Sequence, residues 1–307
     1  MTGAAWRPAV HIGPEPDDTL EDAVREGGGE PAALADADAV VWTGNDPSAF
    51  PQPLPDRVRW VQLPSAGVER WLAAGVLDGG ERVFTSATGA FAGSTAEHAL
   101  ALLLAGARRL PEAARAASWD APAGFGLAGR TVAIVGAGGI GRRLIAMLAP
   151  LDVDVLAVTR RGRDVPGAAR SLAAGDLGQV WGAADFVVLA APATDATRHL
   201  VGAAELAAMR PHAWLINIAR GTLVDTDALV EALRAEAIGG AALDVTDPEP
   251  LPDGHPLWTQ PRAIVTPHVA NPPPVAAIEF AERVRENVER FAAGRGLLSP
   301  VDPDAGY

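Results

Sequence analysis

The chain has 307 residues, of which 49% are apolar and 21% charged, a balance that supports a packed core and one large or two ordinary domains rather than disorder. A formal charge of −13 and a pI of about 4.9 exclude general nucleic-acid and anionic-membrane binding, and any small anionic ligand needs a local cation in its site. No cysteine is present, which excludes disulfides and thiolate metal sites and favours a cytoplasmic location.

The opening "MTGAAWRPAVHIGPEP" has no basic region followed by an apolar stretch, so no leader is expected. Weak strand candidates follow at "PAVHI" (8–12), "ADAVVWT" (37–43) and "VRWVQL" (58–63). Between the last two, "NDPSAFPQPLPDR" (45–57) fits no regular element; Trp42, Trp71 and Phe91 read as core residues, the alternative being room for an aromatic substrate side chain. "STAEHALALLLAGARRLPEAARAA" (94–117) reads as a long helix, broken or kinked near Pro111. Its apolar run "ALALLLAGA" (99–107) is about half of what spans a bilayer, so no membrane partner is expected.

From Thr131 the pattern strengthens. Six strand candidates are "TVAIV" (131–135), "DVLAV" (154–158), "DFVVLA" (185–190), "AWLINI" (213–218), "GAALDV" (240–245) and "AIVT" (263–266), with helical stretches such as "GIGRRLIAMLA" and "TDALVEALRAEA" among them. Near-continuous apolar strands alternating with helices predict a parallel sheet covered on both faces, and six make a doubly wound domain. "NPPP" (271–274) reads as a hinge before a second long helix. That helix carries Val275, Ile278, Val284, Val288 and Phe291 at helical spacing, with Arg285 and Glu289 four apart on its polar side. The order predicts a nucleotide domain inserted into a first domain that the last helix completes.

"TVAIVGAGGIGRRLIAML" sets Gly136, Gly138 and Gly141 in G-x-G-x-x-G spacing between a strand and an amphipathic helix, with Gly139 and Ile140 inside the loop. Gly136 permits the tight turn, Gly138 lets the backbone approach a pyrophosphate, and Gly141 lets helix and strand pack closely. A tight turn without a ligand is the alternative, which the strand–turn–helix context disfavours. At the end of the next strand Thr159 stands where NAD readers place an acidic residue, and Arg160, Arg161 and Arg163 follow. A guanidinium binds a 2′-phosphate bidentately, so NADP(H) is the expected preference, with NAD(H) possible and a solvated basic loop as the alternative.

Ligands of an open parallel sheet bind outside the carboxyl ends of its strands. Arg220 lies just past "AWLINI", Asp244 ends "GAALD" with Glu249 in the loop after it, and His268 lies just past "AIVT". Singly, each has a dull reading as a solvated arginine, a surface glutamate or a turn histidine. Together, beside a dinucleotide loop, they supply what hydride transfer to a 2-keto acid requires: a carboxylate anchor in Arg220 and a proton donor in His268. A Glu249 carboxylate touching His268 favours the imidazolium, which suits reduction. No HExxH or close histidine pair points to zinc, and "LPSAG" lacks the first glycine of a nucleophile elbow, so no metal is expected and a hydrolase is disfavoured.

The motifs "LPSAGVE" (63–69), "STAEHALALLLA" (94–105), "VAIVGAGGIG", "VVLAAPATDATRHLV" (187–201), "INIARGTLVD", "ALDVTDPEPLPDGHPLW" and "TPHVAN" (266–271) run nearly the whole length. By them the chain resembles a D-isomer-specific 2-hydroxyacid dehydrogenase of the glyoxylate/hydroxypyruvate reductase-like branch. The resemblance implies an α/β fold of two doubly wound parallel-sheet domains. A Rossmann nucleotide domain over 98–273 would be inserted into a flavodoxin-like substrate domain of 1–97 and 274–307. It implies Arg220, Glu249 and His268 as catalytic residues and Asp244 as holder of the nicotinamide carboxamide. Pro192, Thr197 and the backbone of Ile218 and Ala219 would line the cofactor. Ser65, Ala66 and Gly67, with Arg220 and His268, would bind the small 2-keto or 2-hydroxy acid, and a homodimer is implied. Two departures are "TRRGR" in place of the common acidic residue and a short segment before "SAGVE". A rival reading is a non-enzymatic, corepressor-type NAD(P) sensor on the same fold, against which Arg220, Glu249 and His268 speak.

Overall fold

Strands β1 (Ala9–Gly13), β2 (Glu30–Pro31), β3 (Ala39–Trp42), β4 (Trp60–Gln62) and β5 (Val83–Thr85) form one sheet in the order β2-β1-β3-β4-β5, parallel throughout. This is the flavodoxin order. The computed structural model describes residues 6–77, 80, 82–119 and 123–303; Met1–Ala5, where the expectation of no leader begins, lie outside them. Three of these strands are the expected ones. β2 and β5 were not foreseen, because a two-residue edge strand ending in proline and a three-residue edge strand opening on exposed Val83 leave no apolar run to read.

Around this sheet, helix Asp18–Glu26 starts where the Asp17 carboxylate accepts the Leu20 amide at 3.1 Å, and it buries Leu20, Ala23 and Val24. Helix Pro273–Ala292 lies so close beside it that a Cβ on Gly27 would meet the Arg285 carbonyl at 2.6 Å. Its buried face is Phe280, Ala281, Arg283, Val284, Asn287 and Val288. The expected apolar stripe is therefore only partly covered: Val275 is 41% and Ile278 68% exposed, because the first turns lie beyond the core of this unit. Arg285 pairs with Glu282 and more loosely with Glu289, at 3.8 Å. The break between the two compact units falls inside "NPPP", between Pro272 and Pro273, and Pro273 and Pro274 open the helix, where a missing N–H costs nothing.

Polar links fasten this helix to the sheet. The Asn287 amide donates to Gln62 Oε1 at 2.9 Å, the Thr85 hydroxyl donates to the same oxygen at 2.9 Å, and the Trp60 indole donates to Thr85 Oγ1 at 2.8 Å. The segment 45–57 holds a short turn, Pro47–Ala49, capped by Asp46. It seats Phe50 edge-on against Trp42 and Trp71 at 5.2 and 5.8 Å.

A second sheet holds β6 (Thr131–Val135), β7 (Asp154–Thr159), β8 (Arg170–Ala173), β9 (Phe186–Leu189), β10 (Trp214–Asn217), β11 (Gly240–Leu243) and β12 (Ala263–Val265). Its order is β12-β11-β10-β9-β6-β7-β8, all parallel, which is the Rossmann order extended by one strand. β9, β10 and β11 are buried at every position, as strands covered on both faces must be. The seventh strand, β8, was not foreseen, since at this edge only Leu172 is buried.

The chain divides into two compact units, 1–91 with 273–307 and 92–272. The first break falls six residues ahead of the one read from sequence (91/92 against 97/98). The cause is helix Ala92–Ala107, which packs on β10 so closely that a Cβ on Gly106 would meet the Trp214 ring at 2.6 Å. The expected interruption falls at Arg109, whose left-handed φ of 49° ends this helix, while Pro111 sits in the first turn of the next, Leu110–Arg115. Among the described residues no helix is long and apolar enough to cross a membrane.

Candidate active site

The glycine loop leaves β6 and enters helix Gly139–Leu148. Gly136 adopts a φ of 98°, and a Cβ there would strike the Ala191 amide nitrogen at 2.5 Å, so no other residue fits. A Cβ on Gly141 would meet the Gly136 carbonyl at 2.9 Å, the mark of a helix packed hard on its strand. Gly138, the cap residue, has nothing within 4 Å of its Cβ position. Its missing side chain therefore leaves an open cradle in front of the unpaired amides of the first turn, Gly139, Ile140 and Gly141, which suits a pyrophosphate.

Beside it, β7 ends at Thr159, and the chain turns so that the Gly162 amide returns toward the Thr159 carbonyl and the Arg163 amide donates to Thr159 Oγ1 at 3.0 Å. Gly162 takes a positive φ of 67° in this turn. Arg160, Arg161 and Arg163 are all exposed around it, and Arg161 bridges Ala173 of β8. Pro192 is exposed just past β9, and its carbonyl accepts the Thr197 hydroxyl at 2.8 Å. That hydroxyl also accepts the Thr194 amide at 2.8 Å, so Thr197 shapes the loop with its polar group turned inward.

Neighbouring strands β10, β11 and β12 deliver the remaining residues to one edge. After β10, the wholly buried Asn217 donates to the Arg220 carbonyl at 2.8 Å and accepts the Ala219 amide at 3.1 Å. These bonds fold Ile218 and Ala219 inward and bring extended Arg220 past the strand end, where its Nη1 donates to the Ala219 carbonyl at 2.7 Å. Gly221 follows because a Cβ would lie 1.8 Å from the Thr246 carbonyl oxygen.

After β11, Asp244 is almost fully buried. Burial pushes its carboxyl up, yet hydrogen bonds from His98, Thr266 and the Val269 and Ala270 amides outweigh burial and hold it below the usual carboxylate range. Asp244 thus fixes the turn after β12. In that turn His268 takes a left-handed φ of 52°, which costs a non-glycine residue about 1–2 kcal/mol, and its amide donates to the Asp244 carbonyl at 2.8 Å. Its ring Nδ1 meets Glu249 Oε1 at 2.7 Å, both side chains being about half exposed (53% and 42%). The Glu249 loop is held by the Thr226 hydroxyl on the Asp247 carbonyl at 2.7 Å and the Thr246 hydroxyl on the Pro248 carbonyl at 2.9 Å. A carboxylate accepts the Nδ1 proton, which leaves Nε2 as the ring nitrogen not engaged with Glu249.

Sequence reading missed Asn217, His98 and Thr266, which hold this edge in place, together with Ser94, whose hydroxyl donates to Asn271 Oδ1 at 2.8 Å. Asn217 alone carried a signal, as the one polar residue inside the apolar run of β10. Ser65, Ala66 and Gly67 lie in the other unit, after β4, with the Ser65 hydroxyl donating to the Gly67 carbonyl at 2.6 Å. Among the described residues, no group of three or more acidic, histidine or cysteine side chains could hold a metal.

The family model for "D-isomer specific 2-hydroxyacid dehydrogenase, NAD binding domain" matches residues 100–270. A Corynebacterium melassecola relative, known as an uncharacterized protein in the proB 3′ region, is 42% identical over 93% of this chain and 95% of its own length. A glyoxylate reductase of Thermofilum pendens is 37% identical over 71% of this chain and 66% of its own length. The solved NADPH-dependent glyoxylate/hydroxypyruvate reductase of Sinorhizobium meliloti, in complex with NADP and sulfate, is similar with a TM-score of 0.81 and 27% identity. That alignment covers 98% of this chain and 100% of that one.

Proposed function

The chain belongs to the D-isomer specific 2-hydroxyacid dehydrogenase family and is an NAD(P)-dependent enzyme of that kind; from this premise we propose that it reduces a small 2-keto acid of the glyoxylate or hydroxypyruvate type to the D-2-hydroxy acid. The observation that carries the proposal is the His268–Glu249 pair, 2.7 Å apart, on the same sheet edge as Arg220 and the open glycine cradle.

A bound reduced nicotinamide supplies the hydride. Arg220 grips the substrate carboxylate and draws charge from the neighbouring carbonyl oxygen, each such bond contributing about 1.5–3 kcal/mol. His268 holds a proton on Nε2 and delivers it to that oxygen as the carbon is reduced, while the Nδ1 proton stays on the ring and donates to Glu249. Glu249 balances the imidazolium before transfer and fixes the ring's orientation. Asp244, whose Oδ2 accepts the Ala270 amide alone among the described residues, keeps acceptor capacity for the nicotinamide carboxamide. Pro192, Ile218 and Ala219 line the cofactor, and Thr197 supports that lining through Pro192. In the first unit, the Ala66 and Gly67 amides have no acceptor among the described residues, whereas the Ser65, Ala66 and Gly67 carbonyls are all taken. Such a run of unpaired amides suits a carboxylate, the ligand proposed for it.

NADP(H) is the proposed preference, carried by Arg160 and Arg161 in the turn where an acidic residue would repel a 2′-phosphate. A homodimer is proposed with it, on the family resemblance; light scattering tests the mass, and a monomer would overturn it. Glyoxylate, hydroxypyruvate, pyruvate and phenylpyruvate, each assayed with NADPH and NADH, test the rest. Turnover of the two smallest polar acids with NADPH is the expected result. A higher kcat/KM with NADH would overturn the cofactor preference, and no cofactor oxidation with any of the four would overturn the reaction.

A further inference from the structure

We infer that Arg283 and Thr88 are positioning residues for the Ser65–Gly67 loop, and through it for the substrate carboxylate. The inference rests on the proposal that this loop's amides take that carboxylate.

Arg283 lies on the buried face of helix Pro273–Ala292, among Phe280, Ala281, Val284 and Val288, and is only 9% exposed. Burial pushes its guanidinium down from its ordinary value. Among the described residues no carboxylate pairs with it at ion-pair distance, and its Nε is buried without a partner. A methionine of similar volume would fill the space without desolvating a charge. What the guanidinium holds explains its presence. Its Nη1 donates to the Thr88 carbonyl at 2.8 Å and to Ser299 Oγ at 3.0 Å, and the Ser299 hydroxyl donates to the same Thr88 carbonyl at 2.8 Å.

Thr88 passes this on. Its hydroxyl accepts the Ser86 hydroxyl at 2.8 Å and donates to the Ala66 carbonyl at 2.9 Å. The Ala87 amide donates to the Ser65 carbonyl at 2.9 Å, and the Ser65 hydroxyl closes onto the Gly67 carbonyl at 2.6 Å. Three successive carbonyls are thereby engaged, and two adjacent amides, Ala66 and Gly67, remain for a ligand. The Trp71 indole also reaches Ser65 Oγ, at 3.4 Å, but among the described residues Thr88 is the side chain from outside the loop that engages one of these carbonyls, and Arg283 holds Thr88. Thr88 is itself exposed, so it is dispensable for packing.

The test compares Thr88→Val, Thr88→Ser, Arg283→Met, Arg283→Lys and Gly67→Pro by steady-state kinetics on glyoxylate, with NADPH affinity and Tm recorded for each. Losing one such hydrogen bond is expected to raise KM about threefold to tenfold in Thr88→Val while kcat and NADPH affinity stay at the wild-type level. Thr88→Ser, which keeps the hydroxyl, restores KM. Arg283→Met raises KM in the same way and Arg283→Lys recovers part of it. Should Arg283→Met fail to fold, Thr88→Val and Thr88→Ser still decide the matter. A folded Thr88→Val with wild-type KM, beside a Gly67→Pro whose KM is raised, overturns the positioning role and leaves the loop's own role standing. A Gly67→Pro enzyme with wild-type KM overturns the reading of the loop itself, and the inference falls with it.

Discussion

At the amino edge of the second sheet, Asp185 stands just before β9; at the carboxyl edge, Asp244 stands just after β11. Both carboxylates are almost fully buried, both touch a histidine, and both are held below the usual range because hydrogen bonds outweigh the upward push of burial. Asp185 receives His212 Nε2 at 2.6 Å, Arg210 Nη1 at 3.0 Å and the Thr131 amide at 2.8 Å, which ties together the starts of β6, β9 and β10. Asp244 receives amides from the turn after β12, so it builds the backbone that carries another histidine out to Glu249. A buried carboxylate beside a histidine is therefore no sign of chemistry by itself. At one edge the carboxylate consumes the imidazole, and at the other it presents one.

The sharpest way to break this contrast is His268→Ala. A fall in kcat of about 10²–10⁴-fold is expected, with NADPH binding and Tm unchanged. Wild-type kcat in that variant would put His268 on the same footing as His212. Arg220→Ala comes next: KM for the keto acid rises about tenfold to a hundredfold, and kcat falls with it. Asp185→Ala should do the reverse. It leaves the Thr131 amide without its acceptor and lowers stability by about 1–3 kcal/mol in denaturant titration, with kcat per folded molecule retained. Loss of kcat there would mean that the amino edge also serves the reaction. The smallest effect is in acid. The lowered pKa of Asp185 gives stability that is complete above the unfolded value of about 4 and is lost as pH falls through the folded value. Asp185→Asn should flatten that part of the acid unfolding curve, measured by circular dichroism, while the wild type steepens through it.

The carboxyl edge was readable because buried parallel strands are apolar runs. A run that stops marks a strand end, and a charged residue beyond it is conspicuous, as Arg220 and His268 are. The amino edge was silent for the same reason. Asp185 opens the run "DFVVLA" and reads as a boundary residue, while Arg210 and His212 precede β10 in an ordinary turn. His98 and Asp244 come from distant parts of the chain, and no local pattern announces their contact. Edge strands β2, β5 and β8 escaped because water takes one side of each, so few apolar residues are needed to form them. Arg283 escaped for the opposite reason: on a helix rich in Arg and Glu, one more arginine reads as surface.

Gly221 has a consequence for anyone redesigning specificity. With only 1.8 Å between its Cβ position and the Thr246 carbonyl, the connections after β10 and after β11 are interlocked backbones. Thr246 begins the loop that carries Glu249, and Gly221 is bonded to Arg220. Arg220, the proposed anchor for the substrate, and Glu249, the proposed partner of the proton donor, are thus set by one shared seam. A loop graft over 246–250 would shift the arginine as well, so the two are best exchanged as a single cassette or left alone.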